Sequence, residues 1–258
     1  MRPFVTLISD WKLRDPYVAM LKSNLLTAIP ESQILDITHS VEFFNLGETA
    51  FLMKQCYASF PKGTIHLLLT TFPQAPDCNP VMVEHNGHFF IAEDTGIFYL
   101  MFGMETELQG RQFHSSTDTL KPLDKMILLS KSLVDGDFEN ITEPYTNFKR
   151  LLCSEPMHFK SEHKIEGKIV YFDSFFNAVT NIPTEMFKEA VQNHPFCATV
   201  QSQSSWDISK YYESYQKDED MYLVSNSLGC IEIAMYNGNV SVLTDMRIDD
   251  KVIITYQL

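Results

Sequence analysis

The sequence predicts an α/β domain with a mostly parallel sheet over residues 1–155, followed by a small all-β, barrel-like domain over residues 156–258. Three observations predict it. Strand-like and helix-like segments alternate through the first third of the chain, and the strands are apolar almost throughout, as strands covered on both faces are. Beyond about residue 155 helical periodicity gives way to strand runs punctuated by Gly and Asn, the texture of a small β domain. Asn86-Gly87 and Asn237-Gly238 are strong hairpin-turn signals.

"FVTLIS" (4–9) is aliphatic and β-branched, a buried-strand pattern. In "DPYVAMLKSNLLTAI", Tyr17, Met20, Leu21, Leu25 and Ile29 fall on one helical face, with Asp15 as N-cap and Pro16 at the first helical position. "QILDIT" (33–38) is a second strand. "LGETAFLMKQCYASF" (46–60) is a second helix, closed by Pro61-Lys62-Gly63. "TIHLLLTTF" (64–72) is a third strand. Residues 81–102 read as a hairpin about Asn86-Gly87, and 122–138 as a helix ending near Gly136. In the second domain "KIEGKIVYFDSFFNAVTNI", "MYLVSNSLGCIEIAMYNGNVSVL" and "DKVIITYQL" are strand runs, with Gly167, Gly229 and Gly238 expected in turns.

Composition narrows the function classes. The 258 residues are 45% hydrophobic and include 19 Phe, enough for real cores and against extended disorder. A formal net charge of −13 without a dense Lys/Arg patch argues against nucleic-acid partners. Five cysteines, an odd number with no Cys-x-x-Cys spacing, argue against a disulfide framework or a zinc site. No stretch approaches the roughly 18 apolar residues of a membrane span, and the N-terminus lacks a signal-peptide pattern. A cytoplasmic protein with no membrane partner is expected. There is no Gly-x-Gly-x-x-Gly and no P-loop.

Several short stretches carry polar chemistry. Asp10 ends the first strand, and ligands of open α/β sheets sit at strand carboxyl ends. A carboxylate there can accept paired hydrogen bonds from a sugar diol, although a turn or cap aspartate is the plainer alternative. Asp36 and His39 close the second strand, where capping and structural roles suffice. Asp94-Thr95-Gly96 reads as a turn. His114 beside Ser115 offers a base and a hydroxyl but no third partner in sequence. His85-Asn86-Gly87-His88 suggests a metal only superficially, because a two-residue turn is expected to splay the flanking side chains. Asn226-Ser227-Leu228-Gly229 reads as a turn into "CIEIA".

Taken in order, "TLISDWKLRDPYVAMLKSNLL", "ILDITH", "FPKGTIHLLL", "EDTGIFYL", "YFDSFFNAVTNI" and "NSLGCIEIAMYNGN" resemble the S-adenosylmethionine hydroxide adenosyltransferases, relatives of the fluorinase and chlorinase enzymes. The resemblance spans most of the chain. It implies an N-terminal α/β domain and a C-terminal β-barrel. It implies a homotrimer that binds S-adenosylmethionine, or adenosine, between the N-domain of one subunit and the C-domain of its neighbour. It implies that Asp10, with Trp11 beside it, holds the ribose diol. Asp173 and Asn177 would meet the methionine ammonium and carboxylate, Phe175 would wall the site, and Asn226 and Ser227 would lie near the adenine. It also implies displacement at C5′ with no metal and no cofactor.

The departures concern the nucleophile. Where the hydroxide-transferring branch reads Val-Asp-Pro-Gly-Val-Gly with an Arg following, this chain reads "TTFPQAPDCNP". Thr71 stands at the acid and Cys78 at the arginine, while Thr71 and Phe72 are similar to the Thr-Thr-Tyr-Pro of the halogenating branch. Phe-His-Gly-Arg-Asp appears as "FHSSTD", keeping His114 and placing Ser115 where the fluorinase touches halide. Trp11-Lys12 stands for the family's Phe-Gly, and Phe176 for the Gly of its Asp-x-Phe-Gly-Asn. The expected function is S-adenosylmethionine cleavage by water or another small nucleophile, with Thr71, His114 and Ser115 as catalytic candidates. The alternative is a catalytically degenerate binder of S-adenosylmethionine or adenosine.

Overall fold

The computed structural model describes residues 2–73, 78–114, 120–152, 155–209, 212 and 221–257. The chain divides into two units, Met1–Cys153 and Ser154–Leu258.

The N-terminal unit runs β1 (Phe4–Ile8), α1 (Tyr17–Ala28), β2 (Gln33–Thr38), α2 (Leu46–Cys56), β3 (Ile65–Leu68), β4 (Pro80–His85), β5 (His88–Glu93), α3 (Ile97–Phe102), β6 (Gly110–Phe113), α4 (Pro122–Asp135) and β7 (Thr142–Tyr145). Its sheet has the order β2-β1-β3-β5-β4-β6-β7. The β1–β2, β1–β3 and β3–β5 pairs are parallel, whereas β4–β5, β4–β6 and β6–β7 are antiparallel. The expectation of a mostly parallel sheet therefore holds only for its first half. The Asn86-Gly87 turn, with both residues left-handed, reverses the chain after β4, and the later strands inherit that alternation.

Strand alternation builds two cores. Val5 and Leu7 of β1 face Leu21, Leu25, Met126 and Leu129 of α1 and α4, while Ile8 packs with Ala50, Met53, Phe98 and Met101 of α2 and α3. The sheet is thus covered on both faces. The hairpin expected to reach residue 102 ends at Glu93, and a left-handed Gly96 starts α3 instead. Helix α1 begins one residue later than expected, with Pro16 rather than Asp15 at the N-cap, and it buries Val18, Leu21 and Leu25. Tyr17 and Met20, expected on the buried face, are exposed, because the burial stripe runs through positions 18, 21, 25 and 29.

The C-terminal unit runs β8 (Met157–Phe159), β9 (Lys164–Phe172), β10 (Ala178–Pro183), α5 (Thr184–Val191), β11 (Phe196–Val200), β12 (Gln203–Ser205), β13 (Ile208–Ser209), β14 (Met221–Ser225), β15 (Cys230–Met235), α6 (Val240–Leu243) and β16 (Lys251–Tyr256). The sheet order is β12-β11-β16-β9-β10-β15-β14-β13, with β8 pairing to β9. It curls far enough for Ser205 Oγ in β12 to donate to the Met221 carbonyl in β14 at 2.8 Å. The unit is not all-β: Phe187, Ala190 and Val191 of α5 pack into its core against Ile182, Ile231 and Ile254. Nor does Asn237-Gly238 make a hairpin. Asn239 follows it, accepts from the Val242 N–H and caps α6.

Gly167, expected in a turn, lies inside β9. A Cβ there would sit 2.3 Å from Ile182 Cγ1 and 2.6 Å from Asn181 Oδ1. Gly167→Ala should therefore cost about 1–3 kcal/mol by overpacking, read as a lower urea midpoint at unchanged slope. An unchanged midpoint would show that β10 yields freely at this crossing.

Candidate functional site

Strands β1 and β3 are adjacent and parallel, so the segments after them leave the sheet at one edge. Asp10, two residues past β1, is 5% exposed. Its Oδ2 accepts the Thr71 N–H and the Phe44 N–H, each at 3.2 Å. One carboxylate oxygen thus clasps the segments that follow β2 and β3. Both donors sit in the left-handed region, Phe44 at φ 62° and Thr71 at φ 64°. That is a costly conformation for an aromatic and a β-branched residue, of the kind that collects at functional sites.

The surrounding contacts explain why the clasp forms. Asn45 caps α2 through the Glu48 N–H at 2.9 Å, and Glu48 Oε2 accepts the Glu42 N–H at 3.1 Å. Burial pushes the Glu48 carboxyl above its ordinary range, partly offset by that hydrogen bond. Lys12 donates from its backbone to the His39 carbonyl at 2.7 Å and from Nζ to the Val41 carbonyl at 2.8 Å. His39 is buried, with Nδ1 2.7 Å from Ser9 Oγ and Nε2 3.1 Å from Asp36 Oδ1, the latter without hydrogen-bond alignment. His39 and Asp36 are fasteners of this edge, as the plainer reading had it. Burial raises the Asp36 carboxyl, but Lys22 and His39 outweigh it and hold the group below its ordinary value.

Trp11 donates its backbone N–H to Ser9 Oγ at 3.3 Å and packs against the α1/α4 core. Phe72 is only 4% exposed and belongs to that core, and Cys78 is buried with it. His114 follows β6 directly, with Nδ1 3.5 Å from Glu143 Oε2 of β7. The β6 carboxyl end shares an edge with those of β1 and β3, three strand places from β3, roughly 14 Å at ordinary spacing. The structure therefore joins Asp10 to Thr71 directly and sets His114 further along the same edge. Ser115 lies outside the described residues.

Asp94 is structural. Its oxygens accept from Gly96 N–H at 3.2 Å, Tyr145 Oη at 2.8 Å and Lys149 N–H at 2.7 Å. His85 and His88 lie directly opposite each other, and both rings contact Tyr57, so they share a face instead of splaying. His88 Nδ1 is 3.2 Å from His66 Nε2, while His85 stacks on Phe102. Among the described residues no three His, Cys, Asp or Glu side chains are grouped to hold a metal ion.

The C-terminal unit repeats the logic of Asp10. Asp173 begins the turn between β9 and β10. Its Oδ1 accepts the Phe175 N–H at 2.9 Å and the Asn177 N–H at 2.8 Å, and Oδ2 lies 3.4 Å from Asn177 Nδ2. The turn forces Phe176 to φ 65°, at a cost of roughly 1–2 kcal/mol for a side chain other than Gly. Phe175 stands 79% exposed beside it.

Asp173, Phe175, Asn177, Asn226 and Ser227 line a cavity of about 650 Å³, together with Tyr171, Tyr212, Tyr222 and Glu232. Asn226 spends its side chain on shape. Oδ1 accepts the Leu228 and Cys230 N–H groups at 3.0 Å each, and Nδ2 donates to Glu232 Oε2 at 3.0 Å. Glu232 was not singled out from the sequence. It is 2% exposed in the middle of β15, and Tyr212 Oη donates to its Oε1 at 2.9 Å. Burial raises its carboxyl, Asn226, Tyr212 and Asn177 pull it back, and Asp173 adds to the rise. The available signal was a lone acid inside the apolar run "CIEIAM".

Comparison with known proteins adds to this geometry. Residues 5–126 match the family model described as the SAM hydroxide adenosyltransferase N-terminal domain, and residues 167–253 match that of its C-terminal domain. A curated relative, the (R)-S-adenosyl-L-methionine hydrolase of Methanocaldococcus jannaschii, is 19% identical over 98% of this chain and 95% of its own. The fluorinase of Nocardia brasiliensis is 32% identical over a shorter stretch, 28% of this chain and 24% of its own. The crystal structure of an uncharacterized conserved protein from Thermotoga maritima shares the fold, with a TM-score of 0.83 at 21% identity over 97% of this chain and 99% of that one.

Proposed function

Because this chain belongs to the SAM hydroxide adenosyltransferase family, we propose that it is an enzyme cleaving S-adenosylmethionine between sulfur and C5′ to give L-methionine and an adenosine-type product. A nucleophile attacks C5′ opposite the sulfur, the C5′–S bond breaks, and its electron pair returns neutral thioether to methionine. With water as nucleophile the new C5′–O bond gives adenosine, and one proton leaves to solvent. The sulfonium is already activated, so alignment and desolvation of the nucleophile carry most of the burden.

The observation that carries this reading is the Asp10 clasp, a buried carboxylate at the strand ends whose two hydrogen bonds both fall on Oδ2. Oδ1 is then the acceptor for the ribose diol. Thr71 and Trp11 flank the ribose, with Phe72 as backing from the core. Asp173, Phe175 and Asn177 take the methionine end, and Asn226 and Ser227 shape the adenine side. His114, oriented by Glu143, and Ser115 are assigned to the nucleophile. The homotrimer that the family resemblance implies is the assembly we assign to this chain. A net charge of −13 disfavours nucleic-acid partners. No helix among the described residues is long and apolar enough to cross a membrane. None of the four described cysteines forms a disulfide within the described residues, which fits the cytoplasm.

A degenerate binder is the second reading, favoured by the buried Cys78 and Thr71 where the hydroxide branch carries Arg and Asp. Incubating the purified chain with S-adenosylmethionine should release adenosine and methionine in equal amounts. Tight calorimetric binding with no product, halides included, would establish the binder. No binding of S-adenosylmethionine or adenosine would defeat both readings.

A further inference from the structure

We propose that Glu232 is a substrate-positioning residue: its buried carboxylate fixes the amides that shape the C-terminal cavity and, with Asp173, makes that cavity selective for the cationic end of its ligand. This rests on the S-adenosylmethionine reading above and extends it to a residue and a charge requirement.

Three observations carry it. Glu232 is buried to 2% exposure, yet its partners among the described residues, Asn226 Nδ2 at 3.0 Å, Tyr212 Oη at 2.9 Å and the Asn177 amide, are all neutral. A buried carboxylate satisfied only by neutral donors is still an uncompensated charge, and a nearby cation is what would stabilise it. The second acid at the cavity, Asp173, makes that demand larger, since its field further disfavours ionisation of Glu232. Among the described residues, the other titratable side chains lining the cavity are the phenols of Tyr171, Tyr212, Tyr222 and Tyr236, and those of Tyr212 and Tyr222 are held above their ordinary range by burial and by Glu232 itself. Among the described residues lining the cavity there is no Lys or Arg. A ligand carrying sulfonium and ammonium groups supplies the missing charge.

Linkage gives the test. If a cationic ligand favours ionised Glu232, its binding expels the proton the free protein holds at low pH, so affinity rises with pH. A neutral ligand at the same cavity gains nothing. The probes are sinefungin, an uncleavable S-adenosylmethionine analogue that keeps cationic groups, and adenosine, which has none. Both are titrated calorimetrically into the full chain at pH 5.0 and pH 7.5. Sinefungin should bind at least about tenfold tighter at pH 7.5, and adenosine should change less than about threefold. Glu232→Gln keeps an acceptor for Tyr212. It should lose about tenfold in sinefungin affinity at pH 7.5, lose most of the pH dependence, and leave adenosine within about threefold.

Equal losses for both ligands in Glu232→Gln would reduce the residue to a structural role and overturn the proposal. So would pH-independent binding of sinefungin by the wild-type chain, a comparison that needs no variant. Failure of the wild-type chain to bind either probe would instead overturn the ligand reading, and this inference with it.

Discussion

Asp10→Asn should leave the N-terminal unit folded and reduce kcat/KM for S-adenosylmethionine about 10²–10³-fold. The asymmetry of the clasp predicts this outcome. Oδ2 accepts the Thr71 and Phe44 N–H groups, and the amide oxygen of Asn can take over both bonds. The amide nitrogen then occupies the Oδ1 position, where it cannot accept from a diol. Two charge-assisted hydrogen bonds lost, at about 1.5–2 kcal/mol each, the lower part of their usual range, account for the fall. Asp10→Ala should behave differently. It leaves two N–H groups of left-handed residues without their acceptor and should destabilise the unit by about 2–4 kcal/mol as well as abolishing turnover. Steady-state kinetics and urea unfolding of both variants separate the roles. An Asn variant with wild-type kcat/KM would make Asp10 a loop clasp and nothing more.

Acid should weaken the N-terminal unit through His66 well above the range where ordinary carboxylates titrate. His66 is fully buried, with Nδ1 2.7 Å from Thr6 Oγ1, Nε2 3.2 Å from His88 Nδ1, and its ring stacked on Phe90. Burial, and then the neighbouring His88, lower its pKa from 6.5 to about 3. The unfolded chain therefore binds a proton below pH 6.5 that the folded chain refuses until about pH 3. The stability contributed by neutral His66 is intact above pH 6.5 and is lost as pH falls through that window. At pH 5, 1.5 units below the unfolded value, the loss is about 2 kcal/mol, growing to about 4 kcal/mol near pH 3. His88, lowered by burial and by Lys62 and His85, acts in the same direction. Glu48, with its raised carboxyl, acts in the opposite one. Urea midpoints at pH 7 and pH 5 measure the loss, and His66→Gln should shrink it by about half. Ring proton shifts of His66 that titrate near pH 6.5 in the folded chain would refute this account.

The sequence made the scaffold legible where one local signal governed the outcome. Apolar β1 and β3, helix α2 and the Asn86-Gly87 turn all follow from pattern and turn chemistry. It misjudged whatever depended on partners distant in the chain. Beyond the β4–β5 hairpin, the antiparallel pairing of β4 with β6 is set by where those strands dock, and Gly167 is needed because Ile182 crosses it. Neither fact has a local signature. Candidate ligand residues were legible through resemblance. Their mechanics were not, because the bonds that define them join positions 34 to 61 residues apart at Asp10. Glu232 escaped notice because a single acid in a strand reads as an outward-facing residue until burial is known. Phe44, Thr71 and Phe176 in left-handed conformations are equally invisible in sequence, yet they mark where the chain is bent to serve the candidate site.

The central claim is displacement at C5′ of S-adenosylmethionine. The most direct measurement is turnover by the purified chain in ¹⁸O-labelled water, with mass spectrometry of the nucleoside released. The account predicts equimolar methionine and adenosine carrying one ¹⁸O at the 5′ position, with no label in methionine. Absence of product above the protein-free blank, or adenosine with an unlabelled 5′ oxygen, would contradict it.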